Sequence, residues 1–284
     1  MKKYTPIELD GISTYSIKTR NNKVNVGKHF AAVPVAGSSF GEFFDSLPNL
    51  LGAESLRGVV SAVVNAHRNG RPVVLAMGGH VIKCGLQPVL KKLIESGIIS
   101  AVAMNGSVTI HDYEVSLVGA TSEDVGAVLQ NGDFGFSAET VQGMNAALKQ
   151  GLADGYGFGE SIGRAIISHE HPYKEHSLLA ACVENGIPAT VHVAVGTDII
   201  HQHPQADGAV IGALSMQDFR LLTSVVADLG DGGVWLNVGS AVLLPEVFLK
   251  ALSIAQNLGH KVDNFTTANF DIGRRAGLYH HWTS

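Results

Sequence analysis

Cysteine is scarce in this chain of 284 residues: Cys84 and Cys182 are the only two, about a hundred positions apart. A pair so placed makes no disulfide framework, so a packed core has to supply the stability. The same usage suits a reducing compartment, and a cytoplasmic location is the expectation. Charge is also sparse, at 16% of residues, with 20 Lys and Arg against 25 Asp and Glu and a net charge of −5. Without a basic stripe, a nucleic-acid partner has no support. Long apolar runs are missing as well: none approaches the roughly 18–20 residues that cross a bilayer. The opening MKKYTPIELDGISTYSIKTRNNKV places no apolar stretch behind its lysines, so neither a secretory leader nor a membrane partner is expected. No repeat and no low-complexity segment interrupts the chain.

What is abundant is apolar side chain, 45% of residues, with a mean hydropathy of +0.18. So much apolar surface on so few charges points to burial between subunits, hence to a homo-oligomer. Residues 1–45 read as a polar N-terminal extension with one short helix in VAGSSFGEFFDSLPN, and residues 46–284 as a single α/β domain. Within it, segments of helical spacing that end on glycine (SLRGVVSAVVNAHRNG, LQPVLKKLIESG, EHSLLAACVENG) alternate with short apolar runs (PVVLAM, IISAVAM, IPATVHVAV, GVWLNVG). SMQDFRLLTSVVADLG reads as a helix with Asp218 in its first turn, PEVFLKALSIAQNLG as another, and HKVDNFTT as a last strand. This alternation predicts a three-layer, Rossmann-like parallel sheet with helices on both faces, with a helical insertion around residues 122–160.

In such a sheet ligands gather beyond the carboxyl ends of the strands. The loops expected there are GGHVIKCG, NGSVTIHDYE, GTDIIHQHP, NVGSAVLLP and TTANFD. In PVVLAMGGHVIKCGL a strand runs through Gly78, Gly79 and His80 into a helix, where glycines admit a pyrophosphate to the backbone and free amides meet it. The spacing is neither G-x-G-x-x-G nor a P-loop, so a plain tight turn stands beside the nucleotide reading. Asn105, Gly106 and Ser107 form a turn with small donors, followed by His111, Asp112 and Glu114. His111 and Asp112 are suited to orient a substrate or move a proton, or Asp112 to cap a helix. Gly239 and Ser240 repeat the strand–glycine–helix pattern and suit a second phosphate or a ribose. His192, His201 and His203 near Asp198 raise a metal site, although no H-E-x-x-H motif occurs. Cys84 at a helix start reads as a thiolate candidate or as a packed small side chain. Tyr173 and Lys174 stand in a solvated loop.

In order, these loops resemble the deoxyhypusine synthases. The likeness runs collinearly from about residue 72 to residue 271 through GGHVIKCGLQPVLKKLIESGIISAVAMNGSVTIHD, NGIPATVHVAVGTDII, QDFRLL, VWLNVGSAVLLP and FTTANFD, with no motif exact. NGSVTIHDYE is also similar to a Gly-Asn-Ala-x-x-x-His-Asp-x-Glu loop of ornithine cyclodeaminase-type domains with that fold. The resemblance implies NAD as cofactor, a tetramer, and a small amine or amino acid as substrate. It also implies ligand contacts from Gly196, Asp198, Thr267 and Asp271, with Glu114 and Asp271 on the ribose. Asp198, His111 and Asp112 are then the catalytic candidates. The synthases' imine-forming lysine is not matched, since Gly239 is followed by Ser-Ala-Val-Leu-Leu-Pro and Lys250 lies two turns further on. The expected function is therefore deoxyhypusine-synthase-like: hydride removal and imine chemistry on a small amine or amino acid, but not deoxyhypusine synthesis itself. A metal-dependent hydrolase or lyase and a non-catalytic nucleotide-binding protein are the alternatives.

Overall fold

A computed structural model describes residues 4–271. The basic ending IGRRAGLYHHWTS falls outside the described residues. Five strands form one sheet: β1 (Val73–Met77), β2 (Ala101–Asn105), β3 (Ala189–His192), β4 (Val234–Val238) and β5 (Thr266–Phe270). All pairings are parallel and the order is β3-β2-β1-β4-β5, the doubly wound arrangement expected from the alternating pattern. Helices α1 (Val26–His29), α2 (Phe40–Ser46) and α3 (Leu51–Arg68) precede β1. Helices α4 (His80–Lys83) and α5 (Gln87–Glu95) join β1 to β2. The long connection from β2 to β3 holds α6 (Gly106–Val118), α7 (Val125–Val128), α8 (Ala138–Asp154), α9 (Phe158–Ser168) and α10 (Leu178–Glu184). Helix α11 (Gly208–Ala227) leads into β4, and α12 (Leu243–Asn257) into β5.

The side-chain period of two along β1 sorts the layers. Leu75 and Met77 pack with residues of α4, α5, α6 and α8–α10, while Val74 and Ala76 pack with Leu222, Val226, Leu244, Phe248 and Ala251 of α11 and α12. Every residue of β1 is buried, which is why the run reads as continuously apolar rather than alternating. Contrary to the reading that no apolar stretch reaches membrane-crossing length, helix α11, interrupted by few charges, is long and apolar enough to do so by length and composition alone. It packs against β3, α8, α9 and α12 and buries Asp218.

The chain divides into two compact units, the boundary falling after Gly58 inside α3. Several element boundaries differ from the sequence pattern. The apolar stretch after Gly79 is not one helix: α4 ends after four residues, Gly85 takes a left-handed φ of 72°, and α5 restarts at Gln87. Asp207 caps α11 by accepting from the amides of Ala209 and Val210, so Asp218 lies mid-helix and not in the first turn. The last strand is shifted along the chain, because the register against β4 starts only at Thr266, after Asn264 turns at a φ of 56°.

Candidate functional site

Strand order places the switch point between β1 and β4, whose following connections leave on opposite sides of the sheet. There the turns after both strands touch. The Gly78 amide donates to the Val238 carbonyl, and a Cβ on Gly78 would overlap the Gly239 carbonyl oxygen. Glycine at position 78 is therefore required by its neighbour turn. Gly79 lies against Ser107 and His111, and Gly106 against the Asp198 carboxyl. The loops after β1, β2, β3 and β4 thus converge on one rim.

At that rim lies a cavity of about 420 Å³, lined among others by Lys83, Ser107, His111, Glu114, Glu123 and Asp198. Strand β2 passes into α6 without a linker: Asn105 ends the strand and caps the helix, its side chain accepting from the Val108 amide and the Ser107 hydroxyl. His111 and Glu114, three residues apart, share one face of α6. Gly119 then ends α6 with a φ of 71°, a conformation that glycine adopts without strain. This reversal returns Thr121 to the same face. The Thr121 Oγ1 lies 2.8 Å from His111 Nδ1 and donates to Glu114 Oε2 at 2.5 Å. Thr140 donates to the other oxygen, Oε1, at 3.2 Å. Burial, reinforced by the charges of Lys83 and His80, pulls the His111 pKa down to about 4, so the ring is neutral at pH 7.

Asp198 enters from the loop after β3. Burial raises its carboxyl to a pKa of about 6. Its Oδ2 and His201 Nε2 are buried without hydrogen-bond partners, 3.9 Å apart, on side chains only 5% and 7% exposed. His201 Nδ1 accepts from the amides of Gly196 and Asp198, so the neutral ring carries its proton on Nε2, the nitrogen nearer the carboxyl.

The structure assigns other work to several expected site residues. Asp112 is fully buried and faces away from the cavity; its carboxylate accepts from Ser177 Oγ and from the amides of Leu178 and Leu179, capping α10. It is a structural cap rather than a catalytic group. Thr267 sits within β5, in register with Trp235, and not in a loop beyond the strand. The Ser240 hydroxyl is buried and accepts from the Leu244 amide, so it serves the start of α12 and not a ribose. Glu114 lines the cavity, but both its oxygens are engaged by threonines. Gly196 is exposed in its loop, and His80 and Asp271 are exposed at the ends of β1 and β5. Cys84 closes α4 and does not start a helix; Cys182 is buried, which pushes its thiol up, with Asp112 adding to the effect. The Tyr173 ring packs on Gly119, and Lys250 pairs with Glu246 on an exposed face of α12.

The sequence pattern gave no role to Thr121, Thr140 and Lys83, and read Asp218 only as a residue of a helix's first turn. Asp218 accepts from the Val191 and Gly159 amides at 2.7 and 3.1 Å, tying β3 to α9, and burial raises its pKa to about 7. Asp218 stands in QDFRLL and Lys83 in GGHVIKCG, but nothing in either stretch singles the residue out, and the two threonines stand in no motif. Only a helical-turn offset from Gly79 marks Lys83, and the threonines reach the site through turns that no local spacing announces.

Residues at the switch point fit a dinucleotide. Among the described residues, the amides of Gly79, His80, Ser240 and Ala241 donate to no protein group. They lie on two turns in contact, the second opening the 15-residue helix α12, and such amides suit a pyrophosphate. The four-residue α4 adds no helix dipole of consequence. Among the described residues no three of His, Cys, Asp and Glu converge as metal ligands. His192 is buried beside Thr190 Oγ1, His203 Nδ1 accepts from the Gln205 amide, and His201 is engaged as above.

No family model matches the chain, and no curated protein matches it. Several solved structures are similar to it in part. A conserved protein of Methanococcus maripaludis S2, provisionally named LOR/SDH, is 16% identical with a TM-score of 0.45, covering 87% of this chain and 61% of its own. AgrE in a ternary complex with ornithine and NAD+ is 14% identical with a TM-score of 0.45, covering 74% of this chain and 27% of that one. A protein of Entamoeba histolytica, provisionally named a deoxyhypusine synthase, is 13% identical with a TM-score of 0.42, covering 80% and 96%. The chain thus spans less than two thirds of the first and about a quarter of AgrE. These likenesses concern the arrangement of strands and helices and not the chemistry at the rim.

Proposed function

We propose that the chain is an NAD-dependent enzyme that oxidises a small amine or amino acid at its nitrogen-bearing carbon. One observation carries the reading: the Gly79 turn, one of two in contact whose amides are free at the β1–β4 switch point, lies against Ser107 and His111, which line a cavity holding a neutral imidazole from α6 and the Asp198 carboxyl from the loop after β3. Gly79, His80, Ser240 and Ala241 would hold the pyrophosphate through their amides. A dinucleotide held there would supply a hydride acceptor for that carbon. Asp198, once ionised, holds the substrate ammonium, and His111 Nε2 takes the proton that nitrogen loses as its carbon is oxidised to an imine. Water then adds to the imine or a nucleophile captures it. No lysine occupies the position that forms a covalent imine in the synthases, and Lys250 is committed to Glu246.

Calorimetric titration of the full chain with NAD and NADP, followed by an amine and amino-acid panel read by nicotinamide reduction, tests this. Binding at one site per chain and turnover of at least one amine are expected, with His111→Gln lowering turnover by about 100-fold or more. Absence of binding to either dinucleotide would overturn the reading. Binding without turnover of any amine would favour a nucleotide-binding protein without this chemistry.

A further inference from the structure

The cavity wall contains a hydrogen-bonded chain, Glu114–Thr121–His111, whose direction is fixed by chemistry. A threonine hydroxyl has one proton, and Thr121 gives it to Glu114 Oε2 at 2.5 Å. An ionised carboxylate only accepts, and the other oxygen of Glu114 also accepts, from Thr140. Thr121 therefore meets His111 Nδ1, 2.8 Å away, with a lone pair, and the ring must donate there. In a neutral imidazole that leaves Nε2 as the basic nitrogen. Among the described residues Nε2 has no protein partner, and His111 lines the cavity.

We propose that Thr121 and Glu114 are positioning residues that lock His111 in its Nδ1–H tautomer and so present Nε2 to the cavity as the proton acceptor. The role in turnover rests on the reading of His111 as the group that takes the substrate's proton; the tautomer does not. His111 faces His80 and Lys83 from α4, Glu114 from its own helix, Glu123 from the following segment and Asp198 from the loop after β3. Burial above all, with Lys83 and His80 adding to it, disfavours a second proton on the ring, so the imidazole waits neutral and takes its proton only from substrate. Thr121 lets the Glu114 charge support the imidazolium once formed while holding the carboxylate 4.0 Å from Nδ1, beyond direct bonding. A direct carboxylate contact would raise the resting basicity of the ring instead.

Nitrogen-15 NMR of the full chain labelled at histidine tests the lock without cofactor or substrate. His111→Gln assigns the signal. The wild type is expected to show His111 protonated at Nδ1 and free at Nε2. Thr121→Val should mix the two tautomers by more than 10%, and Thr121→Ser should restore the single form. A wild-type His111 protonated at Nε2, or a Thr121→Val spectrum with an unchanged tautomer, would overturn the proposal. Should Thr121→Val fail to fold, the wild-type and Thr121→Ser spectra still decide it. With an amine substrate in hand, Thr121→Val should lower kcat by about 10-fold or more and leave KM within about twofold. Loss of dinucleotide binding in the titration above would remove the role in turnover while the tautomer result stood by itself.

Discussion

Asp198 and His111 border one cavity with acidities displaced in opposite senses, and this gives each a signature in stability. Burial raises Asp198 from 3.8 to about 6, so across that window the folded chain holds a proton that the unfolded chain releases. Its stabilisation is complete below the unfolded pKa and is lost as pH rises through 6. His111 falls from 6.5 to about 4, so its contribution is complete above 6.5 and is lost as pH falls toward 4. Each displacement corresponds to about 3 kcal/mol at its extreme, large against a typical stability of roughly 5–15 kcal/mol. In the wild type the two slopes oppose. Asp198→Asn should therefore tilt the Tm profile between pH 4 and 6.5 toward higher stability at higher pH, and His111→Gln toward the reverse. Calorimetric scans at half-unit steps read both tilts, and profiles parallel to wild type in both variants would show that neither group titrates as described.

A pair adjacent in sequence, His111 and Asp112, shows what an element does to a motif. Successive residues on a helix point about 100° apart, so one turn of α6 cannot present both to the same ligand. His111 faces the cavity, and Asp112 faces the core where α10 begins. Replacing Asp112 by Ala strips acceptors from the Ser177 hydroxyl and the Leu178 and Leu179 amides. A cost of about 2 kcal/mol or more is expected, read as a fall in urea midpoint, with Asp112→Ser recovering little because it cannot span all three donors. The His111 tautomer should be unaffected, which separates the cap from the site. Strands and most glycine-ended helices were legible because each is set by its own few residues: continuous burial for β1, a left-handed Gly97 and Gly186 after α5 and α10. The destination of a polar side chain was not. Asp112 is read correctly only once Ser177, sixty-five positions on, is known to lie beneath it. Thr121 likewise gains its meaning from the turn at Gly119, and the late start of β5 from its register with β4.

At the scale of the whole molecule, the switch-point geometry was legible in part: of the five loops chosen for glycine and polar content, those after β1 to β4 come together, while most of TTANFD is strand β5 itself. The amount of apolar surface left outside the core was legible only as a composition. In the larger unit Val195 is 76% exposed, Leu258 70% and Val118 61%; in the described part of the smaller one Val33 is 89% exposed and Ile7 84%. Singly such residues are ordinary, but this many in a chain with 16% charge leaves little to keep separate copies apart. Closed symmetric assembly buries that surface without leaving open ends, and the number of copies of the 29.9 kDa chain is proposed as four only because the resemblance to the synthases implies a tetramer. Light scattering on the full chain should return a mass of four times that value. The mass should persist on dilution to about micromolar and at about 1 M salt, because apolar burial is insensitive to screening. A mass of one chain under those conditions would mean that the exposed apolar side chains are solvated in the native protein, and the expectation of assembly would fail.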